Sequence, residues 1–399
     1  MTSDDKLEIG LWVSPPASEA TAERYAEIKE AGFTFAIGLL EYDTGGDEAI
    51  AKAMDAAFAN GLKYIVHDPK LKKLTAEEAA EIRERVSRFS GHPAYLGHLL
   101  KDEPSAEEID ALAVVKAVYA ETAPDGLAYV NLFPRHAAPE LLLAEYPDYV
   151  EKYMNVYRPQ VLSYDHYPFL TENSVFDGDR LTEDYYDNLE IIRGASVRYG
   201  TPFWLFIQTL SFNGTHRDPT EAEIRWQVYT SLAFGAKGIQ YFTYWTPDDG
   251  KESFGEAIIG RDGKRTRHYA EVRAVNREVA AIGAALLPLG SEGVIFWGEH
   301  PIPAANSLDR FDPVEAVEGD AVAMGCFSDA HGTPAVLLVN GSYEKNAAVT
   351  VKLREGAFDR ADIVSGEDAA TVGLAGESPR IDLALKPGEG KLVAFRKKP

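Results

Sequence analysis

The residues best suited to chemistry stand at the ends of short apolar runs. Lys101-Asp102-Glu103-Pro104 closes one run, Ser163-Tyr164-Asp165-His166-Tyr167-Pro168 closes another, and Tyr241-Phe242-Thr243-Tyr244-Trp245 closes a third. Two carboxyl groups with different pKa values can share acid and base work, one protonated and one ionised. Glu103 stands beside Asp102, whose like charge can raise its pKa, and near Lys101, which would oppose this. Asp165 is the candidate second carboxylate, since strand alternation places Ser163, Asp165 and Tyr167 on one face. Glu41, or a carboxylate between Asp248 and Glu256, is an alternative partner. Gln208 ends a further run, and its neutral amide cannot attack as a carboxylate does. Trp12, Ser14, His67, Asp68 and Asn131 complete the polar and aromatic set at run ends.

Other chemistries lack their signatures. There is no Gly-rich phosphate loop and no Gly-x-Ser-x-Gly elbow. His67-Asp68 and His98 fall on different runs without His-x-x-x-His spacing, so no metal site is predicted. Cys326 is the only cysteine, which excludes an intramolecular disulfide and a Cys-based zinc or iron–sulfur site. No cofactor is expected.

The elements that must carry these residues follow a regular rhythm. Apolar, β-rich runs occur at Glu8–Ser14, Phe33–Leu39, Lys63–Asp68, Leu96–Glu103, Leu127–Phe133, Val161–Tyr167, Phe203–Leu210 and Gly238–Trp245. Helical patterns fill every gap. Capping-box spacing marks Thr75 with Glu78, Ser105 with Glu108 and Asp218 with Glu221, with Pro219 at a first-turn position. Gly32, Gly61 and Gly200 sit where helices end before the next strand. Continuous apolar strands alternating with helices predict a parallel sheet covered by helices, and eight such units predict a (β/α)8 TIM barrel over residues 1–290. In that fold the active site lies at the C-terminal strand ends, where all the candidates stand.

From about residue 291 the pattern changes. Short alternating runs at Gly293–Trp297, Ala321–Phe327, Ala335–Asn340, Ala347–Leu353 and Lys391–Phe395 are separated by turns such as Asn340-Gly341 and Lys386-Pro387-Gly388. They predict a small C-terminal antiparallel β-sandwich over 291–399.

The net charge of −23 over 399 residues predicts a surface that repels nucleic acid and anionic membranes. No run approaches the roughly 18 apolar residues of a membrane span. The N-terminal residues lack a basic and apolar leader pattern, and with the single cysteine this predicts a cytoplasmic protein. Association into a homo-oligomer is compatible with such a barrel.

The quoted motifs resemble the clan-A retaining glycoside hydrolases, particularly their β-galactosidase-like branches, over roughly residues 7–288. Lys101-Asp102-Glu103-Pro104 is similar to the family's Asn-Glu-Pro, Ser163–Pro168 to its Ser-x-His-x-Tyr-Pro, and Tyr241–Trp245 to its aromatic eighth strand. Arg225-Trp226-Gln227 and Phe234-Gly235-Ala236-Lys237-Gly238 share its character. The resemblance implies glycosidase activity on a small glycoside or oligosaccharide, with Glu103 as acid/base and Trp245 as a stacking platform. It implies sugar-binding roles for Trp12, Glu41, His67, Asp102, Asn131, Tyr167, Tyr244 and Trp245. The family's nucleophilic Glu at the seventh strand is Gln208 here, and its Asn before the acid is Asp102. Non-catalytic carbohydrate binding on a degenerate barrel, a glycosidase disabled by a Glu-to-Gln replacement, and a metal-dependent sugar isomerase or amidohydrolase are the competing expectations.

Overall fold

The computed structural model describes residues 6–38, 46–171, 184–298, 307–356, 358–366, 368–374 and 379–397. Its first eight strands are β1 (Glu8–Leu11), β2 (Phe35–Ile37), β3 (Lys63–Val66), β4 (Tyr95–Asp102), β5 (Leu127–Leu132), β6 (Leu162–Asp165), β7 (Phe203–Gln208) and β8 (Gly238–Phe242). They pair in sequence order, all parallel, and β8 returns to β1 to close the barrel. Every run read from the sequence is a strand, with its ends shifted by a few residues. Between them lie α1 (Ala22–Glu30), α2 (Gly46–Ala59), α3 (Ala79–Ser90), α4 (Glu108–Thr122), α5 (Pro139–Leu142), α6 (Tyr146–Lys152), α7 (Tyr185–Tyr199) and α8 (Glu221–Ala233). A further helix, α9 (Arg267–Leu286), follows β8. No helix among the described residues is long and apolar enough to cross a membrane.

Local chemistry accounts for most element ends. The Thr75 and Ser105 backbone N–H groups donate to Glu78 and Glu108, as the spacing requires. Gly200 ends α7 at φ 63, a conformation that disfavours a Cβ. One cap differs from expectation. The box at α8 is Thr220 with Glu223, two residues later than the Asp218–Glu221 spacing suggests. Asp218 is engaged instead by Arg267 and His268 of α9, and Pro219 lies just before the cap.

Strand alternation divides the apolar residues between two cores. Trp204 and Phe206 of β7 point into the barrel with Phe35, Ile37, Leu99 and Tyr129. Leu205 and Ile207 point outward to the helices. Gly238 makes room for this interior, because a Cβ there would sit 2.5 Å from the Trp204 ring.

The C-terminal strands are β9 (Gly290–Trp297), β10 (Val314–Gly319), β11 (Val322–Ser328), β12 (Pro334–Asn340), β13 (Ala347–Leu353), β14 (Arg360–Ser365), β15 (Asp368–Gly373), β16 (Arg380–Leu385) and β17 (Gly390–Arg396). They form a three-stranded sheet, β10-β13-β16, and a six-stranded sheet, β15-β14-β17-β12-β11-β9. The strands β10, β14, β15 and β16 were not read from the sequence. Val336 and Leu338 of β12 point into the core between the sheets, while Ala335, Leu337 and Val339 join the barrel's helical core. The larger sheet is thus buried on both faces at β12, while its edge strand β15 is exposed, and Gly325 lies so close to the Ala233 carbonyl of α8 that a Cβ would be 2.2 Å away.

Candidate active site

Register brings the polar ends of the central strands level. Asp102 pairs with Asn131, Asn131 with Ser163, and Asp165 with Phe206. A hydrogen-bond chain climbs out of the barrel along them. Gln240 Nε2 donates to Ser163 Oγ at 3.0 Å, Ser163 Oγ donates to Asn131 Oδ1 at 2.9 Å, and Asn131 Nδ2 donates to Asp165 Oδ1 at 2.7 Å. These groups are buried, so each bond fixes a rotamer in a region of low dielectric. Glu103 is placed differently. The chain leaves β4 with Glu103 at φ 49, a left-handed conformation uncommon for a residue with a Cβ, and its N–H is held by the Asn131 carbonyl at 2.8 Å. Such outliers persist where surrounding structure enforces them, and this one lies in a cavity wall.

The cavity has a volume of about 340 Å³ and opens at the C-terminal strand ends. Asp102, Glu103, Asn131 and Asp165 form its polar side, with Glu252 reaching in from the loop after β8. Trp12, Tyr167, Phe206, Phe212 and Phe242 form its aromatic side. Tyr167 and Phe242 lie with ring centroids 4.8 Å apart, and Trp12 meets Phe206 edge-on at 5.8 Å. Sequence reasoning placed Trp12, Asp102, Glu103, Asn131, Asp165 and Tyr167, and all six line the cavity. It missed Phe206, Phe212, Phe242, His136 and His216. Phe206 and Phe242 were accessible from strand parity, whereas His136 and His216 come from loops whose course no periodicity reveals. Glu252 lies within the loop singled out as an alternative source of a carboxylate.

The three carboxyl groups of Asp102, Glu103 and Asp165, with Glu252 as a fourth in the same cavity, cannot all ionise easily. Burial raises the Glu103 pKa most, followed by repulsion from Asp165, Asp102 and Glu252. Burial also raises Asp165, with Asp102 adding to the effect, but the Asn131 hydrogen bond favours its carboxylate. The pair therefore keeps its last proton on Glu103. Asp102 is raised by burial and held back by Lys72, Asn131 and Lys101. Lys101 itself reaches away from the cavity to Glu108 at 2.7 Å.

A stability effect follows. A carboxyl whose folded pKa is raised holds its proton longer in the native state than in the unfolded chain. Its contribution is fully present below the unfolded carboxylate range and is lost as pH rises through the folded value. Glu103→Gln is therefore expected to flatten the fall in stability between about pH 4 and the folded value of about 10, and to be the more stable protein at the upper end. Thermal melts of both proteins across that range measure this, and parallel curves would contradict it.

Several candidates are not in the cavity wall. Gln208 is fully buried, and its amide is consumed by backbone. Its Oε1 accepts from Phe169 N at 3.1 Å, and its Nε2 donates to the carbonyls of Phe169 (3.2 Å) and Arg217 (2.8 Å). His67 is buried with Nδ1 on the Gly38 carbonyl, and burial pushes its pKa down to about 3. The β8 strand ends at Phe242, so alternation stops before Tyr244 and Trp245. Tyr244 packs edge-on against Phe33 in the helical shell, and Trp245 lies beneath the Arg24 guanidinium at 5.3 Å. Phe242 occupies the cavity wall instead of Trp245. Glu41 lies outside the described residues. Because a carboxylate at position 208 would face two carbonyls, Gln208→Glu is expected to cost about 3 kcal/mol in denaturant melts without raising turnover. A gain in turnover would show that this side chain reaches the reacting centre.

The family model described as β-galactosidase, glycoside hydrolase family 42, matches residues 134–282. That central segment is similar to glycoside hydrolases. It runs from the loop after β5 to α9 and contains Asp165 but not Glu103. No curated protein matches the sequence. Among solved structures, a catalytic mutant of a family 42 β-galactosidase from G. stearothermophilus is 11% identical, with a TM-score of 0.66 and 98% of both chains covered. The β-galactosidase of the psychrophilic Marinomonas ef1 is 12% identical at a TM-score of 0.56, covering 72% of this chain and 62% of that one. The polyextremophilic β-galactosidase of the Antarctic haloarchaeon Halorubrum lacusprofundi is 14% identical at 0.54, covering 69% of this chain and 58% of that one. The chain thus spans about three fifths of the length of these last two proteins. At such identities the likeness establishes the barrel fold.

Proposed function

We propose that this protein is a glycoside hydrolase of the clan-A type that removes a terminal sugar from a small glycoside or oligosaccharide. The observation that carries the reading is the meeting of Glu103 and Asp165, from different strands, in one aromatic-walled cavity at the C-terminal barrel ends. Glu103, which keeps the proton, gives it to the glycosidic oxygen. Asp165, whose carboxylate Asn131 steadies, meets the anomeric carbon or activates the water that does so. Attack by Asp165 requires the two carboxyls about 5 Å apart, and a water between them requires about 6.5–9.5 Å. The aromatic side supplies surfaces for the apolar faces of a sugar, while Asp102 and Asn131 suit its hydroxyls. The cavity bounded by the described residues is at the small end for ligand sites, which supports a short substrate.

The reading departs from the resembled family at the seventh strand. The seventh strand and the turn after it give the cavity Phe206 and Phe212 rather than a carboxylate, and in this reading Asp165 of β6 serves as the second acid. A panel of nitrophenyl glycosides incubated with the purified chain tests the activity, with proton NMR of the first-formed anomer. Hydrolysis of at least one glycoside is expected, and retained or inverted configuration assigns Asp165 as nucleophile or base. Saturable sugar binding with no turnover would replace this reading with carbohydrate binding alone.

A further inference from the structure

Beside the cavity, three side chains from separate elements converge. His136 lies in the loop after β5, His166 follows β6, and Asp184 immediately precedes α7. His166 Nε2 is 3.6 Å and His136 Nδ1 4.0 Å from the same oxygen, Asp184 Oδ1, and the three ligand-type atoms lie within 4.8 Å of one another. Among the described residues this is the one His/Asp trio so arranged. We propose that His136, His166 and Asp184 bind one divalent first-row metal ion, with zinc as the ion their chemistry fits.

The proton on His166 decides which ring nitrogen faces the trio. Its Nδ1 lies 2.9 Å from Asn188 Oδ1, an atom that can only accept, so Nδ1 carries the hydrogen. In the neutral ring the lone pair is then on Nε2, aimed at a carboxylate oxygen. That lone pair, Asp184 Oδ1 and His136 Nδ1 thus converge on one point. The His166 ring is fully buried, so its position is fixed by packing. Arg135 lies 3.9 Å from the other oxygen, Asp184 Oδ2, which leaves Oδ1 to the imidazoles. Around a metal with bonds of about 2.0–2.1 Å, tetrahedral ligand atoms are roughly 3.4 Å apart, so small side-chain shifts complete the site.

The supporting shell is already built. Asn188 Oδ1 also accepts from Arg135 N at 2.8 Å, and its Nδ2 donates to Tyr146 Oη at 2.9 Å. This fixes the His166 tautomer, as outer partners of metal-bound histidines do. Two imidazoles and one carboxylate select zinc and its neighbours over magnesium or calcium, which prefer all-oxygen shells. Because His136 also lines the cavity, a bound ion would tie the loop after β5 to the start of α7 along the cavity wall. The binding does not depend on the proposed glycosidase reaction, so either idea can fail alone.

The test is calorimetric titration of the chelator-treated full chain with zinc chloride, with magnesium chloride as control. One zinc ion per chain is expected, with micromolar or tighter affinity, no comparable magnesium binding, and a raised melting temperature. Asp184→Asn and His136→Gln should each weaken zinc binding at least tenfold, and Asn188→Ala about tenfold because it frees the His166 ring. Circular dichroism of the metal-free variants shows whether each is folded. His136 is in a loop, so its replacement tests the site even if a buried variant misfolds. Absence of stoichiometric zinc binding, or binding unchanged in folded His136→Gln, would overturn the proposal.

Discussion

Glu103→Gln is expected to lower kcat by about a thousandfold on glycosides with poor leaving groups, because general acid catalysis typically contributes 10²–10⁴-fold. The amide is nearly isosteric and cannot deliver a proton. Since it also removes one of three crowded carboxyls, the fold should not suffer. The loss should shrink with leaving-group pKa. A dinitrophenolate departs without protonation, so its glycoside should be cleaved by the variant with a kcat/KM within about tenfold of the parent, whereas an alkyl glycoside should not. Rates across a leaving-group series measure this slope. Equal loss on every substrate would mean that Glu103 is not the proton donor.

Asp165→Asn carries the opposite signature. Asn131 Nδ2 donates to one Asp165 oxygen at 2.7 Å, and an amide oxygen can take the same bond, so the hydrogen-bond chain from Gln240 should survive. What is lost is the negative charge at the anomeric centre. A loss of 10³-fold or more in kcat is expected on all substrates, whatever the leaving group. If Asp165 is the nucleophile, sodium azide added to Asp165→Ala should restore part of the turnover and yield a glycosyl azide. A variant with kcat within tenfold of the parent would remove Asp165 from the mechanism.

The barrel was legible in the sequence because it rests on local rules. Eight apolar runs alternate with capped helices, and parallel strands covered on both faces must be apolar throughout. Glu103 and Asp165 were legible because both close such runs. Where alternation ended early, the reading failed: β8 stops at Phe242, so Trp245 packs under Arg24 and Phe242 faces the cavity. Gln208 stands at a strand end, but only the loops carrying Phe169 and Arg217 reveal that its amide is bound by backbone. The same limit hid the trio of His136, His166 and Asp184, whose members belong to three different elements. In the C-terminal sandwich, β16 alternates exposed and buried residues as faithfully as any strand, yet Arg380 and Asp382 dilute its apolar character, so its sequence does not stand out as a run. The α8 cap was read two residues early because Asp218 has the composition of a cap but is claimed by α9.

The central claim is that Glu103 and Asp165 act as one unit in breaking a glycosidic bond. Turnover of a nitrophenyl glycoside by the parent, Glu103→Gln, Asp165→Asn and the double variant tests it most directly. Groups that act together are strongly non-additive, so the double variant should be no slower than the worse single variant, within about tenfold. Losses that multiply, or a parent chain that hydrolyses none of the glycosides, would contradict the account.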